Sequence, residues 1–212
     1  SIGSTEAKLI GVTVRGGEAG GVSLDDASSI AHCIITENFA NNGAGVHVDG
    51  GYTVSILQTL IVGNESTAAG TGLYVSGHLE MTNCVVADNV GDVAFFGFAA
   101  QVDMTNCIFW NNPASISYFG GLYNVNYSLI EGSFTGTNNL DTDPMFVDAA
   151  NGDYRLAQGS PCVNAGHNGA LPAGFVEDIA GEPRYLHDPH SPNTGFGSAP
   201  IIDMGAHLSL IH

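Results

Sequence analysis

Positive charge is what this 212-residue chain has least of. Lys8, Arg15, Arg155 and Arg184 stand against 21 acids, and the formal net charge is −17. Between Arg15 and Arg155 there is no Lys or Arg, while 15 acids fall there. Such a surface repels phosphate backbones and anionic bilayers, so nucleic acid is not an expected partner. Cations, neutral glycans and other surface proteins suit it better. The chain also lacks any run of 18 apolar residues, so no membrane insertion is expected. No signal-peptide pattern opens it, as expected of a mature chain or a piece of a longer one. Proline is nearly missing from the first two thirds, where only Pro113 occurs before Pro144. What is abundant is glycine, with 29 residues, alongside Val, Ile, Thr, Asn and Ser. That mixture reads as strands and tight turns.

The strongest signal is self-similarity. Cys33-Ile34-Ile35-Thr36-Glu37-Asn38, Thr59-Leu60-Ile61-Val62-Gly63-Asn64, Cys84-Val85-Val86-Ala87-Asp88-Asn89, Cys107-Ile108-Phe109-Trp110-Asn111-Asn112 and Ser128-Leu129-Ile130-Glu131-Gly132-Ser133 align, with a degenerate copy headed by Gly11. A second column reads Gly21-Val22-Ser23-Leu24, Gly45-Val46-His47-Val48 and Gly72-Leu73-Tyr74-Val75, blurring near Phe96 and Phe119. Two or more strands per turn of roughly two dozen residues predict an all-β fold: a right-handed parallel β-helix, a single-stranded solenoid of about six rungs. The small heads Cys33, Thr59, Cys84 and Cys107 are expected to stack at an inward corner. Asn38, Asn64, Asn89 and Asn112 are expected to form an amide ladder at a left-handed turn. Two apolar residues follow each head, and strand alternation sends one of them outward. Something must cover that outer column. Four cysteines allow three pairings, but stacked side chains pointing the same way disfavour a bridge between Cys84 and Cys107. Free buried thiols are expected, with Cys162 apart.

Residues 1–140 carry the repeat, and residues 141–212 form a Pro/Gly-rich C-terminal tail. The tail is expected to cap the helix and cover one sheet, since an open solenoid end invites aggregation. Its motifs are Asp143-Pro144-Met145-Phe146-Val147-Asp148, Asn151-Gly152-Asp153-Tyr154-Arg155-Leu156 and Gly159-Ser160-Pro161-Cys162-Val163-Asn164-Ala165-Gly166. Asp178-Ile179-Ala180-Gly181-Glu182-Pro183-Arg184 and Ile202-Asp203-Met204-Gly205-Ala206 follow. In this order they resemble the C-terminal module of bacterial right-handed β-helix surface proteins, the choice-of-anchor Q proteins and relatives of the polymorphic outer-membrane proteins. The resemblance implies a secreted or cell-surface location. The family's aromatic and acid after Gly-Ala are replaced here by His207 and Leu208.

No catalytic set is assembled. A lyase of the pectate type needs a basic residue that the rungs after Arg15 do not supply, and a glycosidase needs two carboxylates at defined separation. Asp25 and Asp49 each fall four residues after their column Gly, which places them on adjacent rungs. With Asp26 they are the nearest approach to a catalytic pair, and the same oxygens are the candidates for a Ca²⁺ site. If Val22, Val46 and Leu73 point inward, Ser23, His47 and Tyr74 point out, with Phe96 next in the row. Such a row can dock sugar faces. The leading expectation is a non-catalytic extracellular or cell-surface protein, a stalk, adhesin or matrix component in contact with glycans. The alternatives are a polysaccharide lyase or glycoside hydrolase, and a self-assembling filament subunit that stacks end to end.

Overall fold

A computed structural model describes residues 7–24, 27–186 and 188–207. Parallel strands coil into a solenoid with three strands per turn. The first sheet stacks Ala7–Ile10, Ser28–Ala31, Thr53–Leu57, His78–Thr82, Gln101–Thr105 and Leu122–Asn126. The second stacks Thr13–Arg15, Ile34–Thr36, Leu60–Val62, Val85–Ala87, Ile108–Trp110 and Leu129–Ile130. The third stacks Val22–Leu24, Val46–Val48, Leu73–Val75, Phe95–Phe98 and Ile116–Phe119. Six strands in two sheets and five in the third make about five full turns. There is no α-helix among the described residues.

Alternation fills the coil. Ile30, Ile56, Met81, Met104 and Val125 line the first sheet's inner face, Ile35, Ile61, Val86, Phe109 and Ile130 the second's, and Val46, Leu73 and Phe95 the third's. All are essentially fully buried. Between the first and second sheets one residue per turn takes left-handed backbone angles: Gly11, His32, Gln58, Asn83, Asn106 and Tyr127, with φ from 45° to 66°. This corner corrects the expected alignment of the first rung. Thr13 pairs with Ile34 and Val14 with Ile35, so Gly11 matches His32, and Val12, not Gly11, lies opposite Cys33. The glycine belongs to the left-handed corner rather than to the small head column. The slip of one residue turns Val14 instead of Thr13 toward the core.

The glycine column at the start of the third sheet has a steric cause. A Cβ on Gly45 would lie 2.5 Å from the carbonyl oxygen of Gly72 and 2.7 Å from Ile61 Cγ2. Gly45→Ala is expected to cost about 2 kcal/mol, read as a lower urea midpoint. An Ala at Gly51, which has open space around its Cβ, provides the contrast.

The described part of the tail opens as an antiparallel hairpin, Phe146–Asp148 against Asp153–Leu156, closed by a 3₁₀ turn at Ala149–Asn151 and by Gly152 at φ 83°. Tyr154, Leu156, Cys162, Val163, Ala165, Met204 and Ala206 pack on the outer apolar column of the second sheet, Leu60, Val85, Ile108 and Leu129. The tail therefore lies along the side of the rod. The backbone after the last turn is met by residues 137–140: Tyr127 N–H donates to the Thr137 carbonyl, and Ile130 N–H to that of Leu140. Phe134 packs against the exposed end of the core.

Candidate functional site

The third sheet's outer face carries the row expected from the sequence. Ser23, His47, Tyr74, Phe96 and Ser117 pair across successive turns. The His47 and Tyr74 rings lie 4.8 Å apart at 32°, and Tyr74 and Phe96 lie 5.5 Å apart at 26°. Two residues along, Phe98 and Phe119 stack at 5.7 Å and 9°. They form a second outward row with Asp49 and Ser76. Phe119 is 71% exposed, among the most exposed large apolar side chains described. Parallel rings held by hydrogen-bonded strands make a flat, rigid apolar platform.

Asp49 sits at the edge of this platform. Its carboxylate accepts a hydrogen bond from Ser76 Oγ at 2.6 Å and lies 3.1 Å from His47 Nε2. Asp25 and Asp26, the proposed partners for catalysis or Ca²⁺, lie outside the described residues. Among the described residues no group of three or more His, Cys, Asp or Glu is placed to hold a metal ion.

The ladder residues stack as backbone scaffolding. Asn38 Nδ2 donates to Asn64 Oδ1 at 3.0 Å, Asn64 Nδ2 to Asn89 Oδ1 at 3.0 Å, and Asn89 Nδ2 to Asn112 Oδ1 at 3.1 Å. Each amide oxygen also takes the backbone N–H of the Asn one turn earlier. The left-handed residue is the one before each Asn, namely Glu37, Gly63, Asp88 and Asn111. The Asn itself turns inward to satisfy the corner. Cys33, Thr59, Cys84, Cys107 and Ser128 line one fully buried column. Thr59 Oγ1 receives the Cys33 N–H at 3.4 Å, and Ser128 Oγ the Cys107 N–H at 3.0 Å. All four cysteines are free. Burial raises the thiols of Cys84 and Cys162 well above the ordinary range. These two are expected to resist a thiol reagent at pH 8 until denaturant is added, which an Ellman assay checks.

The tail motifs converge on a buried charged cluster. Arg184 is fully buried, and its Nη2 donates to the carbonyls of Asp203 and Gly205 at 2.9 and 2.8 Å. Burial lowers its pKa, opposed by the charges of Asp203 and Asp178. Asp203 Oδ1 takes the Asn164 N–H at 2.8 Å, and Asp178 Oδ1 takes the N–H groups of Ala180 and Glu182. From the solenoid, Asn83 Nδ2 reaches the same Asp203 and Gly205 carbonyls, and Asn106 Oδ1 takes the His167 N–H at 2.7 Å. The Asp-Ile-Ala-Gly-Glu-Pro-Arg and Ile-Asp-Met-Gly-Ala motifs thus form a lock between tail and rod.

Sequence reasoning missed a polar network on the first sheet's outer face. Thr53 Oγ1 lies 3.0 Å from His78 Nδ1, His78 Nε2 lies 3.3 Å from Asp103 Oδ2, and Asn124 Nδ2 donates to Asp103 Oδ1 at 2.8 Å. The chain crosses four turns. The Asn124 hydrogen bond, then that of His78, lowers the Asp103 pKa against a partial burial that raises it. Glu80 pairs with Asp103 in the ladder. The available signal was the strict alternation in His78-Leu79-Glu80-Met81-Thr82 and Gln101-Val102-Asp103-Met104-Thr105.

Stacked parallel strands, left-handed corners and an internal Asn ladder define a parallel β-solenoid. The family model for the right-handed beta helix region matches residues 1–144, and the chain belongs to that family. No curated protein and no solved structure matches the chain.

Proposed function

We propose that this chain is a non-catalytic extracellular or cell-surface solenoid, a stalk, adhesin or matrix component, that contacts glycans through the third sheet's outer face. The observation that carries this reading is the His47–Tyr74–Phe96 stack with the Phe98–Phe119 pair beside it. Rings in register on rigid strands meet the apolar face of a sugar at little entropic cost, because the platform is already ordered. Asp49, braced by Ser76 and His47, offers acceptors for hydroxyls at the rim. The overall acidity favours neutral rather than anionic saccharides, and the β-helix family is compatible with a surface role.

Affinity electrophoresis in gels containing neutral polysaccharides tests the reading. Retardation of the wild-type protein is expected. Tyr74→Ala and Phe96→Ala should each weaken it about tenfold, a loss of about 1.4 kcal/mol, with the thermal midpoint nearly unchanged. Equal retardation of both variants would refute contact at this face.

A further inference from the structure

We infer that the first sheet's outer face is a second ligand site, a trough for a neutral oligosaccharide lying along the solenoid axis. It shares only its ligand class with the preceding reading and lies on a different sheet. Its floor is the outward column Ser55, Glu80, Asp103 and Asn124, one residue per turn. Flanking it on one side are Thr53, His78 and Gln101, and on the other Thr82, Thr105 and Asn126. The second flank ends in a hollow lined by Thr105, Asn126, Tyr127, Thr137, His167 and Ala170. There the tail rises as a wall: the His167 ring lies 5.0 Å from Tyr127, edge to face, and stacks on Phe196 at 4.9 Å. Farther down the second flank, Ala31 and Leu57 are buried, and Phe175 lies 5.8 Å from His32 at that corner. That second flank, the column of Thr82, Thr105 and Asn126, is therefore open only over the fourth to sixth turns.

Three features select the occupant. The floor and its flanks offer hydroxyl, amide, imidazole and carboxylate groups side by side, so the trough both donates and accepts, as a polyol requires. With a net charge of −17 on the chain and Glu80 beside Asp103 on the floor, uronates and phosphates are repelled. The groups recur once per turn at about 4.8 Å, close to the advance of one sugar unit in an extended chain, so successive residues of a glycan meet successive rungs. Asp103 is the central acceptor. Asn124 and His78 hold its carboxylate, and Thr53 Oγ1, 3.0 Å from His78 Nδ1, holds the imidazole in turn. The side chain is thus preorganised before ligand arrives.

The test uses β-1,4-linked glucan, xylan and mannan hexasaccharides with hexagalacturonate as the anionic counterpart, first on an array and then by titration calorimetry of the strongest neutral binder. The expected result is two sites per chain for that neutral hexasaccharide and none for hexagalacturonate. Asp103→Ala and Asn124→Ala should each weaken one site at least tenfold, and Tyr74→Ala the other, with unchanged circular dichroism. Loss that follows Tyr74→Ala alone would overturn the trough and leave the third-sheet reading intact. Loss that follows Asp103→Ala alone would do the reverse. Tight binding of hexagalacturonate, or no binding by any neutral hexasaccharide, would also overturn it.

Discussion

Replacing Arg184 with Met should release the tail from the solenoid at a cost of about 3–5 kcal/mol, the range for removing one partner from a buried ionic cluster. Met keeps much of the side-chain volume, so the loss comes from the charge and its hydrogen bonds rather than from a void. Arg184 is the cation that faces Asp178 and Asp203, both nearly inaccessible. Its Nη2 also ties the two carbonyls that Asn83 reaches from the rod. His207 is a poor replacement: its ring lies 3.9 Å from Asp178, but burial lowers its pKa and disfavours the charged form. Once the lock opens, the outer column of Leu60, Val85, Ile108 and Leu129 loses its cover. Binding of a hydrophobic dye and cleavage after residue 141 by a protease at low concentration should both rise. Arg155 pairs with Asp153 at the surface, so Arg155→Met should leave both readouts unchanged.

Asn64→Ala should destabilise the rod itself by about 3 kcal/mol or more. Asn64 Oδ1 takes both the backbone N–H and the Nδ2 of Asn38, and its own Nδ2 reaches the Ile35 carbonyl and Asn89 Oδ1. Truncation leaves two Asn38 donors without this acceptor inside the coil, and a buried orphaned donor costs about 1–3 kcal/mol. The penalty cannot be relieved by water, because Asn38, Asn64 and Asn89 are all buried. Urea unfolding measures it. Asn41→Ala, at an exposed position whose side chain accepts a hydrogen bond from Thr67 Oγ1, should stay within about 0.5 kcal/mol.

These two variants also divide what the sequence revealed from what it concealed. The ladder was legible because its partners occupy equivalent places in successive repeats, so one column of Asn encodes the whole device. The outward row of His47, Tyr74 and Phe96 was legible for the same reason. The first sheet was not legible apart from its neighbours, because its signal is only a period-two alternation in residues 53–57, 78–82 and 101–105, with no residue type held through all three to mark a column. With it went the Thr53–His78–Asp103–Asn124 network, which needs the register of four turns. The first rung slipped by one because Gly11 suits a small head as well as it suits a left-handed corner; only pairing of Thr13 with Ile34 distinguishes them. The lock was hidden most deeply. Asn83 and Asp203 are 120 residues apart, and one of two Arg in a Pro-rich tail reads as a surface charge until the fold buries it.

Native-state hydrogen exchange, resolved by residue, addresses the coiled architecture most directly. If each turn hydrogen-bonds to the next through an interior closed to water, the backbone amides of Asn38, Asn64 and Asn89 should exchange only with global unfolding. They should rank with Ile61 and Val86 among the slowest in the chain. Exchange of these Asn amides within seconds, at the pace of the exposed turn at Gly50-Gly51, would show that the ladder does not exist and that the turns are not stacked as described.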